Sequence, residues 1–182
     1  MKPRSYSSEG IILSKRNYQE ADKFIVVYSK DFGKQSFLAK GVRKTKSRKR
    51  GHLEVFNRIK FSVNRGKFFE VITEVETIDS FRSIRKNLRK VSVAYYFSEV
   101  IKKLTQEGEK NEELYNILYY YLKTIEKTSK NLRNLRYNFI YKVLVSLGFW
   151  PEGKKLVDPD ITLEDILERE LTSVRVGKRI LT

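Results

Sequence analysis

Lys23-Phe24-Ile25-Val26-Val27-Tyr28-Ser29 is the stretch that decides the fold of the first part of the chain. Its β-branched and aromatic residues, bounded by polar ones, predict a strand. The turn Asp31-Phe32-Gly33-Lys34 follows, with Gly33 free to adopt a positive φ. After this turn, Gln35 to Ala39 continues as a second predicted strand. The sequence therefore contains two strands joined by a turn, and the rest of the fold is predicted outward from them.

Three further strands are predicted on either side of this pair of strands. Ile11-Ile12-Leu13 forms a short strand before it. Leu53 to Val63 alternates between apolar and polar residues, with Phe56 out of step, and Phe68 to Ile78 returns after a turn at Gly66. Five strands without an intervening helix predict a small closed or nearly closed barrel over residues 1–80.

From about Ser83 the apolar residues recur with the period of a helix. A first helix is predicted from there to near Gly108, a second over Glu112 to Lys127 and a third over Leu132 to Leu147. Thr162 with Asp165 resembles a capping box and predicts a short final helix. The fold class is thus α+β, with a five-stranded barrel followed by an all-helical C-terminal domain over residues 81–182.

The chain of 182 residues carries 38 Lys and Arg against 22 Asp and Glu, a formal net charge of +16. The excess lies before residue 151, because residues 151–182 carry a net charge of −1. No acidic residue lies between Asp31 and Glu54, whereas Lys40 to Gly51 is rich in Lys and Arg. That stretch has too few apolar residues for a core and predicts a mobile basic loop. A charge excess of this size and concentration predicts a polyanionic partner.

Several kinds of function are excluded by composition. The chain has no cysteine, so thiolate nucleophiles, disulfides and cysteine-ligated metal are excluded. His52 is its one histidine, which excludes histidine-based zinc sites and most Ser-His-Asp arrangements. The longest apolar run, Ile117 to Leu122, is far shorter than a membrane span. No phosphate-binding glycine loop or nucleophile elbow occurs, so we expect no enzyme activity, no cofactor and no membrane association.

The candidate site is a track of positive side chains for a nucleic-acid backbone, which Arg can bind bidentately and Lys as a point charge. The candidates in and around the barrel are Lys34, Lys40, Arg43, Lys44, Lys46, Arg48, Lys49, Arg50, Arg65 and Lys67. Four more follow at the junction with the helices, where the first, second and last are at helical spacing: Arg82, Arg85, Lys86 and Arg89. Four aromatic residues are candidates for base stacking, with core packing as the alternative for each: Phe37, Phe56, Phe68 and Phe69.

The order of the motifs resembles the RecO family of recombination mediators. The resemblance is closest over residues 9–56, through the segments Glu9–Ser14, Tyr18–Lys23, Phe32–Lys34, Leu38–Lys44, Lys46-Ser47 and Gly51–Phe56. Residues 85–145 agree more loosely, and Leu147–Glu152 and Ser173–Arg179 are similar to segments near the end of the family's helical domain. Many family members carry a four-cysteine zinc site after the Leu147–Glu152 segment, but Gly153 to Asp160 replaces it here, so no zinc is expected.

The resemblance implies an N-terminal OB-fold barrel, a helical domain and a cytoplasmic, nucleoid-associated location. It implies non-specific binding of single- and double-stranded DNA, annealing of complementary strands and loading of the recombinase onto DNA coated with single-strand-binding protein. The implied partners are RecR and the acidic C-terminal tail of the single-strand-binding protein.

Two alternatives from other classes stay open on the residues alone. One is an RNA-binding OB-fold protein, for example one associated with the ribosome, because charge does not distinguish the two polymers. The other is a protein-interaction scaffold that docks a partner on its tyrosine-rich helices. Those helices carry Tyr95, Tyr96, Tyr115, Tyr119, Tyr120, Tyr121, Tyr137 and Tyr141.

Overall fold

The computed structural model describes residues 4–128 and 130–167, so Ser173–Arg179 lies outside the described residues. The first part of the chain is a closed barrel with the strand order β1-β2-β3-β5-β4. Its strands are β1 (Ser5–Tyr18), β2 (Asp22–Ser29), β3 (Gly33–Ala39), β4 (Arg58–Arg65) and β5 (Glu70–Asp79). All neighbours are antiparallel except β3 and β5, which run parallel with Leu38 opposite Val71. The predicted α+β class, with a five-stranded barrel of OB type, is confirmed.

The barrel interior is filled by alternating residues of every strand. Ile12, Ile25 and Val27 are inaccessible to solvent, and the rings of Phe37 and Phe61 pack with their centroids 5.2 Å apart. Phe37 and Phe56 are both buried, so they belong to the core and are not base-stacking residues.

Two strand boundaries differ from the prediction. β1 extends well beyond Ile11–Leu13, because its first half pairs with β4 and its second half pairs with β2. The polar ends of this strand are stabilised by these ladders, although no apolar pattern marks them. β4 begins at Arg58 instead of Leu53 because Phe56 has a φ of +75° and turns the chain. The Phe56 N–H donates to the Ile12 carbonyl at 2.8 Å, which fixes the turn against β1.

The helices are α1 (Arg82–Arg85), α2 (Leu88–Leu104), α3 (Glu112–Lys127), α4 (Leu132–Ser146) and α5 (Pro159–Leu167). α3 has the predicted bounds, and α4 ends one residue before the predicted Leu147. The single helix predicted from Ser83 to Gly108 is wrong. Asn87 is extended and its side chain accepts the N–H groups of Arg89 and Lys90, which ends α1 and starts α2 anew. Among the described helices, none is long and apolar enough to cross a membrane.

The start of α5 was predicted at Thr162 and lies at Pro159 instead. The Asp158 carboxylate accepts the N–H groups of Asp160 and Ile161 at 2.9 and 3.1 Å, so Asp158 is the cap. Pro159 suits the first helical position because the N–H it lacks has no partner there.

We expect Asp158→Ala to lower the free energy of unfolding by about 1 kcal/mol, because two N–H groups of α5 lose their acceptor. The thermal midpoint should fall by roughly 2–4 °C for a chain of this length. Asp158→Asn is the control, because its amide oxygen can still accept both bonds. Thermal unfolding followed by circular dichroism measures both variants, and an equal loss for the two would contradict the capping role.

The chain forms two compact units, which are described separately. The first comprises the residues up to Ser80 together with Gln106–Tyr115, and the second comprises Phe81–Thr105 and the residues from Asn116 onward. Gln106–Tyr115 is bound to the hairpin of β2 and β3: the Gly108 N–H donates to the Lys34 carbonyl at 2.8 Å. The domain boundary at residues 80 and 81 stays a prediction.

Candidate nucleic-acid interface

The basic loop, residues 40–51, connects β3 to β4 and folds into successive turns. Its Lys44, Ser47 and Arg50 N–H groups donate to the carbonyls of Gly41, Lys44 and Ser47, respectively. The expectation that no part of this loop enters a core is wrong for Val42, which is 2% exposed and packs in the barrel core. Most of its cationic side chains are exposed to solvent, namely Lys40, Arg43, Lys44, Lys46, Arg48 and Arg50.

The loop is held against the connection between β1 and β2. The Arg43 N–H donates to the Ala21 carbonyl at 2.9 Å, and its guanidinium donates to the Gln19 carbonyl at 3.0 Å. The Asp22 carboxylate accepts the Gly41 N–H at 2.7 Å. The side chain of Asp22, the first residue of β2, therefore holds the start of the basic loop. The basic loop is thereby presented from a fixed base.

Two lysines of this region have lowered pKa values, and for Lys23 neighbouring positive charges are part of the cause. Burial lowers the pKa of the Lys23 ammonium, and the neighbouring charges of Lys15 and Arg50 lower it further. Burial also lowers the pKa of Lys49, whose ammonium donates to the Ile72 carbonyl on β5 at 3.0 Å. Positive charges from β1, β2 and the basic loop thus share one region of the barrel. Phosphate groups bound there would relieve this repulsion.

An aromatic cluster lies beside this region. It consists of Tyr18 at the end of β1, Phe24 on β2 and Phe69 just before β5. The ring centroids are 4.6 Å apart for Tyr18 and Phe24, and 5.0 Å apart for Phe24 and Phe69. The Arg16 guanidinium lies 4.8 Å from the centroid of the Phe24 ring. OB barrels bind oligonucleotides on the face of strands 2 and 3 and on the loops that join strands 1–2 and 4–5. The cluster occupies that position.

The hairpin tip, residues 66–69, joins β4 to β5. Its Gly66 N–H donates to the Phe69 carbonyl at 3.0 Å, which closes a tight turn. Phe68 projects from this turn with 80% of its surface exposed, and the Lys67 ammonium lies 5.5 Å from the centroid of its ring. On the β4 side of the turn, Arg65 is ion-paired with Glu70 at 3.2 Å.

The remaining predicted residues are distributed as follows. Lys34 is half-buried at the start of β3, beside the Gly108 contact. Arg82, Arg85, Lys86 and Arg89 are exposed but belong to the second unit, so they are not part of the barrel surface. The helical spacing proposed for Arg82, Arg85 and Arg89 does not hold, because the chain breaks at Asn87 between α1 and α2.

Sequence reasoning missed five residues of this surface: Lys15, Arg16, Tyr18, Lys23 and Phe24. Arg16 and Tyr18 lie in the part of β1 beyond the predicted strand. Lys23 and Phe24 follow Asp22 at the start of β2, where Phe24 is the buried ring of the cluster. The alternation of charged and aromatic residues on either side of the first turn was the available signal. This alternation indicates a binding site only when the folded barrel places Phe69 beside Tyr18 and Phe24.

Residues 153–160 stand where many members of the family that the sequence resembles carry four cysteines. The chain has no cysteine, and the described residues contain no cluster of His, Asp and Glu suited to a metal ion. Tyrosine hydroxyls hold the segment instead. The Tyr141 hydroxyl accepts the Gly153 N–H at 2.8 Å, and the Tyr137 hydroxyl donates to the Leu156 carbonyl at 2.7 Å.

Comparison with known proteins gives the same family over both parts of the chain. The family model described as Recombination protein O N terminal matches residues 1–81, and the one described as Recombination protein O C terminal matches residues 85–158. The DNA repair protein RecO of Pelotomaculum thermopropionicum is 33% identical over 146 residues, covering 80% of this chain and 56% of that protein. The DNA repair protein RecO of Rubrobacter xylanophilus is 34% identical over 146 residues, covering 80% and 58%. The chain thus spans a little over half the length of these relatives.

Proposed function

The chain belongs to the RecO family of DNA repair proteins, and we propose that it is a non-enzymatic recombination mediator that binds DNA and anneals complementary strands. The observation that carries the proposal is the meeting of the basic loop and the aromatic cluster on one barrel. Lysines and arginines neutralise the phosphates of two strands, and the lowered repulsion allows base pairing without a catalytic residue. The accessible rings of the aromatic cluster, Tyr18 and Phe69, hold bases in a sequence-independent way, and the buried Phe24 ring supports them.

The proposal includes the loading of a recombinase onto DNA coated with single-strand-binding protein. Its protein partners are RecR and the acidic C-terminal tail of the single-strand-binding protein. The excess of positive charge in residues 81–150, net +8, supports the binding of an acidic tail by the helical part of the chain.

Annealing of two complementary oligonucleotides, followed by fluorescence with and without the protein, tests the central claim. We expect acceleration that does not depend on sequence. Binding without acceleration would reduce the protein to a nucleic-acid-binding module, and matched DNA and RNA competitors would then show which polymer it prefers. The absence of binding at low salt would overturn the proposal.

Salt should weaken binding steeply, because phosphate contacts release condensed counterions. With five phosphate contacts on a single strand, we expect a slope near about −3.5 in a plot of log affinity against log salt concentration. Anisotropy titrations of a labelled oligothymidylate over a salt series measure it. An affinity that does not change with salt would contradict a surface built on the basic loop.

A further inference from the structure

We propose that Phe68 is a stacking residue for an unpaired nucleobase, so that the hairpin tip distinguishes single-stranded from fully paired DNA. This inference rests on the proposed function and deepens it. It assigns to the hairpin tip a contact with a base. The basic loop cannot distinguish single-stranded from double-stranded DNA, because phosphates are present in both.

The first observation is the exposure of this ring. Phe68 is 80% exposed, whereas Phe37, Phe56 and Phe61 of the same barrel are buried. Single exposed apolar side chains are common on protein surfaces, so the exposure of Phe68 points to a binding position because the ring lies next to Phe69 and the aromatic cluster. The neighbouring Phe69, 43% exposed, extends the apolar surface toward the aromatic cluster.

The second observation is that the ring is presented from a fixed turn. The Gly66–Phe69 hydrogen bond closes the turn, and a Cβ atom on Gly66 would lie 2.4 Å from the Phe69 carbonyl oxygen. Phe69 packs edge-on against Phe24, and Arg65 is paired with Glu70. Because both ends of the turn are held, stacking on Phe68 requires little ordering of the protein on binding.

The third observation identifies the occupant. The Lys67 ammonium lies over the Phe68 ring, and Arg65 flanks the turn on the other side. Arg65 is already paired with Glu70, so Lys67 is the cation beside this ring. A ring with a cation next to it suits a base with its phosphate better than an apolar protein segment, which would cover the Lys67 charge without offering it a partner. The aromatic cluster and the basic loop continue the same surface through the contact between Lys49 and Ile72. A strand that follows the basic loop therefore reaches Phe68 with a base to stack.

The test compares the effect of Phe68→Ala on the binding of two oligonucleotides, one with its bases and one without them. Wild-type and variant proteins are titrated, by anisotropy, with an oligothymidylate and with an abasic strand of the same length and charge. We expect the substitution to weaken oligothymidylate binding by about 5- to 100-fold, the range of one lost stacking contact, and to leave abasic binding unchanged. Phe68→Trp should retain the affinity of the wild-type protein for oligothymidylate.

Ile78→Ala is the matched control, because Ile78 is another exposed apolar side chain of the barrel, at 44% exposure. It should leave both affinities unchanged. Equal weakening of the two strands by Phe68→Ala, or no weakening of either, would overturn the stacking role and assign the tip to a protein partner. A wild-type protein that binds neither strand would overturn the proposed function itself, so the two failures are distinguishable.

Discussion

Replacing Arg43, Lys44, Arg48 and Arg50 together by alanine is expected to weaken binding to single-stranded DNA by roughly 10²- to 10³-fold at 0.1 M salt, the range for three or four lost phosphate contacts. Each phosphate contact on a single strand contributes about 0.7 to the salt slope, which corresponds to roughly fivefold in affinity between 0.1 and 1 M salt. The slope should become shallower by about 0.7 for each of the four side chains that contacts a phosphate. Annealing should slow in parallel, because it depends on the same charge neutralisation.

Lys49 is left unchanged in this variant for a structural reason. Its ammonium donates to the Ile72 carbonyl on β5, so its removal would leave the carbonyl of a buried residue without that donor. The four chosen side chains are exposed, and the fold of the loop depends on its backbone turns and on Val42. Arg43 does donate to Gln19 through its guanidinium, but its backbone bond to Ala21 remains after substitution.

The matched control removes the same charge from exposed side chains of the second unit. The substituted residues are Lys127, Lys130, Arg133 and Lys142. If general positive charge drives binding, both quadruple variants lose the same affinity, and the assignment of the basic loop is wrong. If the loop is the site, only the first variant loses about two to three orders of magnitude in affinity, with circular dichroism spectra unchanged for both.

Local residue patterns predict those strands of the barrel that pair with a neighbour in sequence. The strands predicted at Lys23–Ser29 and Gln35–Ala39 are marked by β-branched residues and by the turn at Gly33. They lie within one or two residues of β2 and β3, which pair as a hairpin. The closure of the barrel depends on β1 with β4 and on β3 with β5, which are distant in sequence. The ends of β1 can be polar because they are held by hydrogen bonds to β2 and β4 and not by burial. No alternation of residues marks where that strand begins and ends.

The candidate site, too, could be predicted only in part from the sequence. An acid-free interval with eight cations is visible in the sequence because charge is a property of each residue. The aromatic cluster is not, because Tyr18, Phe24 and Phe69 meet only in the folded barrel. The different roles of Lys49 and Arg48 also depend on the tertiary structure, since of the two only Lys49 donates to a carbonyl of β5. The break at Asn87 shows the limit for helices, where one capping side chain overrides a continuous apolar period.

Gly33→Ala is expected to lower the free energy of unfolding of the barrel by about 3 kcal/mol or more. Gly33 has a φ of +67°, a conformation that costs an L-residue about 1–2 kcal/mol. An added Cβ would also lie 1.8 Å from the Glu109 carbonyl oxygen and 2.5 Å from its carbonyl carbon. Both atoms are backbone, so the clash is relieved only if Gln106–Tyr115 moves away from the hairpin of β2 and β3. The Gly108 bond to Lys34 would then be lost as well.

Two other glycines separate the causes of this effect. Gly108 has a φ of +79° with nothing within 4 Å of an added Cβ, so Gly108→Ala measures the backbone cost alone. Gly51 has open space and no positive φ, so Gly51→Ala should be close to neutral. Thermal unfolding followed by circular dichroism should order the midpoints as Gly51→Ala, then Gly108→Ala, then Gly33→Ala as the lowest. Equal midpoints for Gly108→Ala and Gly33→Ala would mean that Gln106–Tyr115 moves away from the added Cβ without a loss of stability. The packing of this segment on the β2–β3 turn would then contribute nothing to the stability of the barrel that carries the DNA surface.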